Sequence, residues 1–335
     1  MLMANPATIY DVANRAGVSI STVSLTLNRP DRVRPKTREL VLEAIEHLGY
    51  VPKETAVSRA RRGVGRIGVL APFTSYDSYR RRLMGVLSEC DGTSREVVIF
   101  DHASAAATVS PLLRTLPVTG RLDGLVIMGL PLDDALAEHL VRRKLPTVLV
   151  DTRRPEFSSV NTNDEEGGLL AGRHLIERGY RSFAFVREPQ DSDSFVSQGQ
   201  LRFAGFTRAL REAGLDPAGI TEVDTTNDIA GGRAALAKVL ADGRGPTAIF
   251  AHHDVLAAGL LLECRGKGVS VPGEVAVIGF DDSDVAEAAG LTTIRQPFVE
   301  SGRLGARLLA DLLAGTVESV QQIMLGLELV VRDST

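Results

Sequence analysis

Short apolar segments alternate with helical segments through most of the chain, and this alternation restricts the possible folds more than any other feature. The apolar segments are rich in Val, Ile and Leu, which is typical of strands that are buried on both faces. From Arg66 onward they predict strands at 66–71, 96–100, 124–128, 147–151, 182–186, 247–251 and 275–281. Predicted helices between them include 165–177, 201–213 and 231–240. This order predicts an α/β fold of parallel sheets with helices on both faces.

Ligands of such folds bind at the carboxyl ends of the strands, and two facing subdomains of this kind form a cleft that closes on its ligand. Several polar side chains stand at or near predicted strand ends, namely Asp151, Arg202, His253 and Asp281. Carboxylates and guanidinium groups beside aromatic rings suit a sugar, because they bond paired hydroxyls while a ring covers an apolar sugar face. The sequence therefore predicts a small-molecule effector of the sugar type.

The first sixty residues follow a different, purely helical pattern. Thr8 and Asp11 have the spacing of a capping box for a helix that runs to about Ala16, and Gly17 suits the left-handed turn that ends it. Ser19 can cap a second helix that runs to about Asn28. Two short helices around so tight a turn have the spacing of a DNA-binding helix-turn-helix.

A third helix is predicted from Pro35 to Leu48, with Gly49 as its stop. Ser21, Thr22 and Ser24 remain on the second helix as polar groups that can face a DNA groove. The predicted core of this three-helix bundle consists of Val12, Ala13, Val18, Val23, Leu27, Leu40, Val41, Ala44, Ile45 and Leu48.

Charge is distributed unevenly along the chain. Residues 1–66 contain 11 Lys and Arg against 6 Asp and Glu, whereas the whole chain contains 38 against 42. A basic head on an acidic body suits a protein whose head meets phosphates.

Several classes of protein are disfavoured. No apolar run approaches the roughly 18 residues of a membrane span, and no secretory signal opens the chain. Cys90 and Cys264 lie far apart, which favours a reducing cytoplasm and argues against a disulfide framework or a zinc ribbon. We therefore expect a cytoplasmic protein that does not contact a membrane.

Catalysis and metal binding are not expected from the sequence. His252 and His253 are adjacent, and neighbours along a strand point to opposite faces, so they are not expected to chelate one ion. The neighbouring carboxylates at 133–134 and 281–282 are interpreted as a helix start and a loop. HExxH, GxSxG, P-loop and GxGxxG motifs do not occur in the right context. We expect no enzyme activity, no cofactor and no metal.

The segment from Thr8 to Pro52 resembles the head of the lactose-repressor (LacI-type) family, through AGVS, TVS, VRPKTR and LGYVP in register. Residues 66–332 resemble the same family and the periplasmic sugar-binding proteins, through RIGVL, RLDGLVIM, the run NTNDEEGGLLAGRHLIERGY, and EVAVIGFDDSDVAEAAGLTTIRQP. The resemblance implies a helix-turn-helix domain followed by an α/β periplasmic-binding-protein-like domain of two doubly wound parallel-sheet subdomains.

The implied domain bounds are 1–52 for the DNA-binding domain, 53–65 for a hinge helix or linker, and 66–335 for effector binding and dimerisation. The last part is expected to comprise an N-subdomain (about 66–163 and 297–322) and a C-subdomain (about 164–292 and 323–332), with chain crossings near 162–164, 292–297 and 322–326.

The resemblance also implies which head residues contact DNA. Ile20, Ser21 and Leu25 match positions that face base edges in the major groove. Leu25 stands where many relatives carry an arginine that reads guanine, so the operator is expected to lack a guanine preference at that step. The positions that match sugar-phosphate contacts are Thr8, Tyr10, Ser19, Thr22, Asn28 and Arg32, of which Thr8 and Ser19 can equally serve as helix caps.

Arg59 departs from the family pattern, since most relatives have a leucine there that wedges into the minor groove. One interpretation is that Arg59 enters a narrow A·T-rich minor groove, drawn by its negative potential. The other is that it contacts phosphate only, and the sequence leaves both open.

By the same resemblance, effector-pocket positions are matched by Asp151, Arg202, His253, Asp281, Gln296 and Phe298, with Phe73, Tyr76 and Tyr79 added from the first loop. Arg202 has the alternative of a structural ion pair, and Asp254 is interpreted as a helix cap. Relatives commonly have asparagine at the position of His253. The histidine of this chain adds a possible charge near neutral pH.

These observations predict a sequence-specific DNA-binding transcriptional regulator that represses carbohydrate-utilisation genes. A homodimer is expected to bind a pseudo-palindromic double-stranded operator, and a sugar is expected to release it. Corepression remains an alternative to release. A tetramer is not expected, because the chain ends at Thr335 soon after the last strand. A solute-binding protein of transport and an enzyme on the same fold are the competing interpretations.

Overall fold

The computed structural model describes residues 7–48, 50, 65–102, 122–189, 196–241 and 246–335. The chain divides into two compact units, Met1–Asn161 with Phe298–Ile323 and Thr162–Pro297 with Met324–Thr335. The chain therefore passes between the units after Asn161, Pro297 and Ile323. Within the described ranges, no helix is both long and apolar enough to cross a membrane.

The head consists of α1 (Ile9–Ala16), α2 (Ile20–Asn28), a single 3-10 turn (Pro30–Arg32) and α3 (Pro35–Leu48). The Thr8 hydroxyl accepts from the Asp11 amide, and the Asp11 carboxylate accepts from the Thr8 amide, so the predicted capping box is confirmed. Gly17 has φ +65°, the left-handed conformation that ends α1. The Ser19 hydroxyl accepts from the Thr22 amide at 3.1 Å and caps α2 as predicted. The predicted stop at Gly49 lies outside the described residues.

The core of the head differs from the predicted one at two residues, since Leu40 lies outside it and Tyr50, which was not predicted, belongs to it. Buried residues are Val12, Ala13, Val23, Leu27, Val41, Ala44, Ile45 and Tyr50, with Val18 and Leu48 packed at the edge. Leu40 is 44% exposed, so its assignment to the core is wrong. The buried stripe of α3 runs through 41, 44 and 45, and successive helical residues are rotated by about 100°, which turns Leu40 outward.

The body contains strands and helices in the alternating order that the sequence predicts. The strands are β1 (Arg66–Ala71), β2 (Glu96–Asp101), β3 (Gly124–Met128), β4 (Thr147–Val150), β5 (Ser158–Thr162), β6 (Ser182–Arg187), β7 (Thr221–Asp224), β8 (Thr247–Ala251), β9 (Val275–Asp281), β10 (Thr292–Arg295), β11 (Gln322–Leu325) and β12 (Glu328–Val330). The helices are α4 (Asp77–Cys90), α5 (Asp134–Arg142), α6 (Asp164–Glu177), α7 (Gln198–Glu212), α8 (Ile229–Leu240), α9 (Asp254–Lys267), α10 (Asp284–Ala289) and α11 (Phe298–Ala314), with a 3-10 turn at Pro217–Gly219.

Each unit is built on one six-stranded sheet. The first has the order β11-β5-β4-β3-β1-β2, and the second has the order β12-β10-β9-β8-β6-β7. Strands β1 to β5 pair in parallel in the first sheet, as do β6 to β10 in the second, and β12 is antiparallel to β10. The predicted fold of a helical head and two parallel-sheet subdomains is confirmed.

Strands β5 and β10 were not predicted, although both lie inside their sheets. Their sequences, SSVNT and TTIR, are largely polar. Ser159, Thr292 and Thr293 are nonetheless fully buried. Their hydroxyls bond to residues far away in the sequence, as Ser159 does to Gln322 at 2.7 Å, so no local pattern marks these strands.

Glycines allow α6 and α7 to pack with their backbones in contact. A Cβ atom at Gly205 would stand 1.8 Å from the Glu165 carbonyl oxygen, and one at Gly168 would stand 1.9 Å from that of Arg202. Because helix backbones cannot yield as a flexible side chain can, we expect Gly205→Ala to lower the free energy of unfolding by about 1–3 kcal/mol. Chemical denaturation of the full chain measures this. Gly219→Ala is the control, since a Cβ there meets open space, and an equal loss in both variants would contradict the packing argument.

Candidate nucleic-acid interface and effector site

The head presents most of the predicted DNA-contacting residues to solvent. Ile20 and Leu25 are 39% and 37% exposed on α2, and Tyr10 is 68% exposed on α1. Large apolar side chains on the surface of a small basic head are available to a partner. The exposed residues are Thr8, Tyr10, Ser19, Ile20, Ser21, Leu25, Asn28 and Arg32, and Thr22 is half-buried. Arg59 lies outside the described residues.

Polar residues of the head also stabilise its helix ends. The Thr8 hydroxyl donates to Asp11 at 2.7 Å, and the Ser19 and Thr22 hydroxyls lie 2.9 Å apart. The Asn28 amide donates to the Ser24 carbonyl at 2.7 Å. These bonds hold the side chains in place at the exposed ends of α1 and α2. The cap interpretation of Thr8 and Ser19 is therefore confirmed, while their contacts with phosphate stay a prediction.

In the first unit, Tyr79, Arg82, Asp151 and Phe298 form what we call the Asp151 cluster. Asp151 directly follows β4, and its φ of +62° turns the chain at the strand end. The Arg82 guanidinium lies 3.0 Å from the Asp151 carboxylate and 4.4 Å from the centre of the Phe298 ring. Tyr79 donates its hydroxyl hydrogen to the same carboxylate at 3.4 Å. The cluster thus joins a carboxylate, a buried cation and two aromatic rings at a strand end.

Arg82 was not predicted, although it is only 2% exposed. It is the last of three consecutive arginines, a run that reads as a solvated helix face. One feature of the sequence did indicate that Arg82 belongs with Tyr79. It follows Tyr79 by three residues, which places both side chains on one face of α4.

Tyr76 and Phe73 precede α4. Tyr76 packs edge-to-face on Tyr79, with ring centres 6.0 Å apart. Phe73 is half-buried in the turn after β1, and Asp101 ties this turn down by accepting from the Thr74 amide at 3.0 Å and from its hydroxyl at 2.7 Å. The structure therefore joins Tyr76 to the Asp151 cluster through a ring contact.

In the second unit, Arg202, His253, Asp281 and Gln296 form the Asp281 cluster. Asp281 ends β9, where it accepts from the Gln296 amide at 2.7 Å and lies 2.8 Å from His253 Nδ1. Burial raises the pKa of Asp281, but the neighbouring His253 and Arg202 outweigh it, and the net shift is downward. Thr162 donates to the Gln296 carbonyl oxygen at 3.1 Å and so orients that amide.

Arg202 is held by a buried ion pair. Its Nε lies 2.8 Å from the Asp164 carboxylate, and its guanidinium carbon lies 3.7 Å from the centre of the Phe280 ring. It also donates to the His252 carbonyl oxygen, while Asp281 is 4.0 Å away. The structural ion pair, which the sequence analysis gave as an alternative role for Arg202, is therefore present. Asp164, which makes it, was not predicted.

Asp254 does not cap α9, so that interpretation is wrong. The cap position is His253, and Asp254 is the first residue of the helix itself. Its buried carboxylate accepts from the Ser283 amide at 2.7 Å and from the Thr293 hydroxyl at 2.6 Å. Burial and the nearby charge of Asp281 raise the pKa of Asp254 to about 7. Asp254 thus ties the start of α9 to the loop after β9 and to β10.

The expected separation of His252 and His253 is also wrong. Their ring centres lie 4.3 Å apart, because both residues come after β8 has ended, where the alternation of a strand no longer applies. Burial, followed by the charges of His253, Arg202 and Arg187, holds the pKa of His252 well below its usual range. Ligand atoms of Glu188, His252 and His253 lie within 4.8 Å of one another.

Comparisons with known proteins relate both parts of the chain to regulators. The model of the bacterial regulatory proteins, lacI family, matches residues 8–53, and that of the periplasmic binding protein-like domain matches 173–335. The HTH-type transcriptional repressor PurR of Edwardsiella ictaluri is 33% identical over 98% of this chain and 96% of its own length.

Two solved structures are also similar. The transcriptional regulator CelR in complex with cellobiose has a TM-score of 0.68 at 30% identity, over 98% of this chain and 100% of that one. The lac repressor dimer bound to operator and the anti-inducer ONPF has a TM-score of 0.69 at 29% identity, over 99% of both chains.

Proposed function

Because the chain belongs to the lacI family of bacterial regulatory proteins, we propose that it represses carbohydrate-utilisation genes and that a sugar releases it from its operator. It is a sequence-specific DNA-binding regulator with a small-molecule effector, and its curated relatives are regulators and not enzymes. We propose that residues 1–52 bind DNA and that residues 66–335 bind the effector and form the dimer. A regulator of this kind acts in the cytoplasm.

The operator is proposed to be pseudo-palindromic and to be bound by a homodimer. One head neutralises few phosphates and has three candidate base-reading side chains on α2, so a single half-site would be bound weakly. The lac repressor structure with operator, to which this chain is similar, is that of a dimer. We assign base reading to Ile20, Ser21 and Leu25, which are exposed together on α2.

The observation that carries the effector proposal is the chemistry of the Asp151 and Asp281 clusters. In each cluster a carboxylate with little exposure stands at a strand end, with an arginine close to it and an aromatic ring packed on that arginine. Carboxylates and amides bond paired hydroxyls, and rings cover the apolar face of a sugar. CelR, a similar regulator, has been solved with a disaccharide, cellobiose. We therefore assign the effector contacts to these two clusters.

Effector and operator act on each other through linkage. A ligand shifts a conformational equilibrium only by its differential affinity for the two states, and the coupling is reciprocal. If the sugar binds better to the state that DNA disfavours, it weakens operator binding, and the operator weakens sugar binding by the same factor.

A fluorescence-anisotropy titration of the purified chain on operator-like DNA tests the proposal, with and without a panel of sugars. We expect tight binding that falls steeply with salt and that one sugar weakens. Tight binding that no sugar changes would support the DNA-binding role but contradict a sugar as the effector. The effector would then be sought among nucleobases or phosphorylated metabolites. Binding no tighter than to unrelated DNA would contradict the regulator itself.

A pair of tyrosine variants then tests the assignment of the effector contacts. Tyr79→Phe removes one hydroxyl from the Asp151 cluster, and a lost hydrogen bond of this kind is expected to raise the sugar concentration for half-release about 2- to 10-fold. Tyr180→Phe is the matched control, because its hydroxyl donates to the Pro272 carbonyl oxygen at 2.6 Å instead. Equal sugar responses of the two variants would contradict the assignment.

A further inference from the structure

We propose that Glu188, His252 and His253 form a binding site for a divalent transition-metal ion of the zinc class. Glu188 follows β6, and the two histidines follow β8. These strands pair in parallel, so their carboxyl ends meet at one edge of the sheet. The ligand atoms of the three residues lie within 4.8 Å of one another, close enough for side-chain rotations to place them around one ion.

The ligand types select the metal. Two imidazoles and one carboxylate are the set found in catalytic zinc sites and in non-haem iron sites, and they leave coordination positions open for water. Magnesium and calcium prefer oxygen ligands, so the imidazoles argue against both. The site therefore takes a borderline ion such as Zn²⁺ or Co²⁺.

His253 is oriented as a metal-bound histidine usually is. Its Nδ1 lies 2.8 Å from the Asp281 carboxylate, which is itself fixed by Gln296. A hydrogen bond donated by Nδ1 to this carboxylate places a ring proton on Nδ1 and leaves Nε2 as the nitrogen that can bind a metal. A carboxylate behind a histidine in this way sets the ring orientation and strengthens it as a ligand.

His252 has hydrogen-bonding capacity that the fold does not use. The residue is 3% exposed, and its Nδ1 has no hydrogen-bond partner among the described residues. Nε2 accepts only a long bond of 3.3 Å from the Glu188 amide. Buried polar atoms are usually well paired, so this ring calls for an explanation. The ion takes the lone pair on Nε2, which in the metal-free fold accepts only this long bond, while the N–H on Nδ1 is not used by the site.

The two nearby arginines do not prevent cation binding, because carboxylates offset both. Arg187 pairs with Glu222 at 2.9 Å and with Asp224 at 3.0 Å. Arg202 pairs with Asp164 at 2.8 Å. The Glu188 carboxylate adds a negative charge at the site itself. His253 also belongs to the Asp281 cluster, so the ion would lie beside the proposed effector contacts. The geometry of the metal site is the same whichever effector binds.

Titration of the chelator-treated full-length protein with Co²⁺ tests the site through the visible absorption of the bound ion. We expect saturation at one ion per chain and displacement by Zn²⁺. The loss of a residue that only hydrogen-bonds to a metal ligand weakens metal binding about 10- to 100-fold. Glu188 and His253 are proposed as ligands themselves, so Glu188→Gln and His253→Gln are expected to weaken Co²⁺ binding at least about 10-fold. His47→Gln is the control, since His47 is an exposed histidine on α3, and it should bind Co²⁺ as the wild type does.

Thermal unfolding of the metal-free variants shows whether each is folded, and Glu188→Gln keeps the size of the side chain that it replaces. Absence of a saturable Co²⁺ spectrum in the wild type would overturn the inference. So would equal Co²⁺ affinity in wild type, Glu188→Gln and His253→Gln. Operator binding of the metal-free protein is measured separately, so that a negative result here leaves the proposed regulator intact.

Discussion

Arg202→Met is expected to lower the free energy of unfolding by about 3–5 kcal/mol. The side chains of Arg202 and Asp164 are 3% and 5% exposed, so the exchange leaves the Asp164 carboxylate buried without this cation. It also removes the contact with the Phe280 ring at 3.7 Å and the bond to the His252 carbonyl. Denaturant unfolding of the full chain, followed by circular dichroism, measures the loss.

A second ion pair between the same two helices provides the control. Arg208 lies 2.7 Å from Glu165, with both side chains 41% exposed, so Arg208→Met is expected to change the free energy of unfolding by less than about 1 kcal/mol. Combining Arg202→Met with Asp164→Leu should recover most of the loss, because apolar residues replace a buried pair well. If Arg202→Met unfolds no more easily than Arg208→Met, the buried pair is not what stabilises this part of the unit.

Leu25→Arg is expected to create a guanine preference at one step of the operator. An arginine can bond guanine O6 and N7 together, whereas leucine offers only an apolar contact to a thymine methyl. A bidentate contact of this kind discriminates by about 1–3 kcal/mol, or roughly 5- to 150-fold in affinity. The preference is measured by selecting binding sites from random DNA with the wild type and with Leu25→Arg. Leu25 is already exposed on α2, so the exchange should not disturb the core of the head.

The matched control is Leu40→Arg. Leu40 is also an exposed leucine of the head, but it lies on α3. This variant adds the same charge and is expected to strengthen binding to all sequences alike. A guanine preference in Leu40→Arg, or an invariant guanine at the Leu25 step of the wild-type sites, would contradict the assignment of Leu25 to base reading.

The strands and head helices could be predicted because their signals are local. Segments such as 66–71 and 275–281 are continuous apolar runs, and the caps at Thr8 and Ser19 involve partners only three residues away. Local patterns marked site residues only at the ends of such strands, as for Asp151 and Asp281. Arg202, Gln296 and Phe298 were expected through the family resemblance instead. Arg82 and Asp164 were missed because charged residues usually face solvent, and the sequence does not show which distant carboxylate or arginine pairs with them in the interior.

The sequence by itself determined the order of elements, the helix-turn-helix of the head and the family of the chain. Those features rest on hydrophobic periodicity, on turn residues and on motifs that lie within a few residues of one another. Only the tertiary structure decided which polar groups meet. Asp254 became a buried acceptor for Ser283 and Thr293, and His252 came to lie against Glu188. Such contacts join segments that are far apart in the chain, and whether a charge is buried or solvated depends on what the fold packs against it.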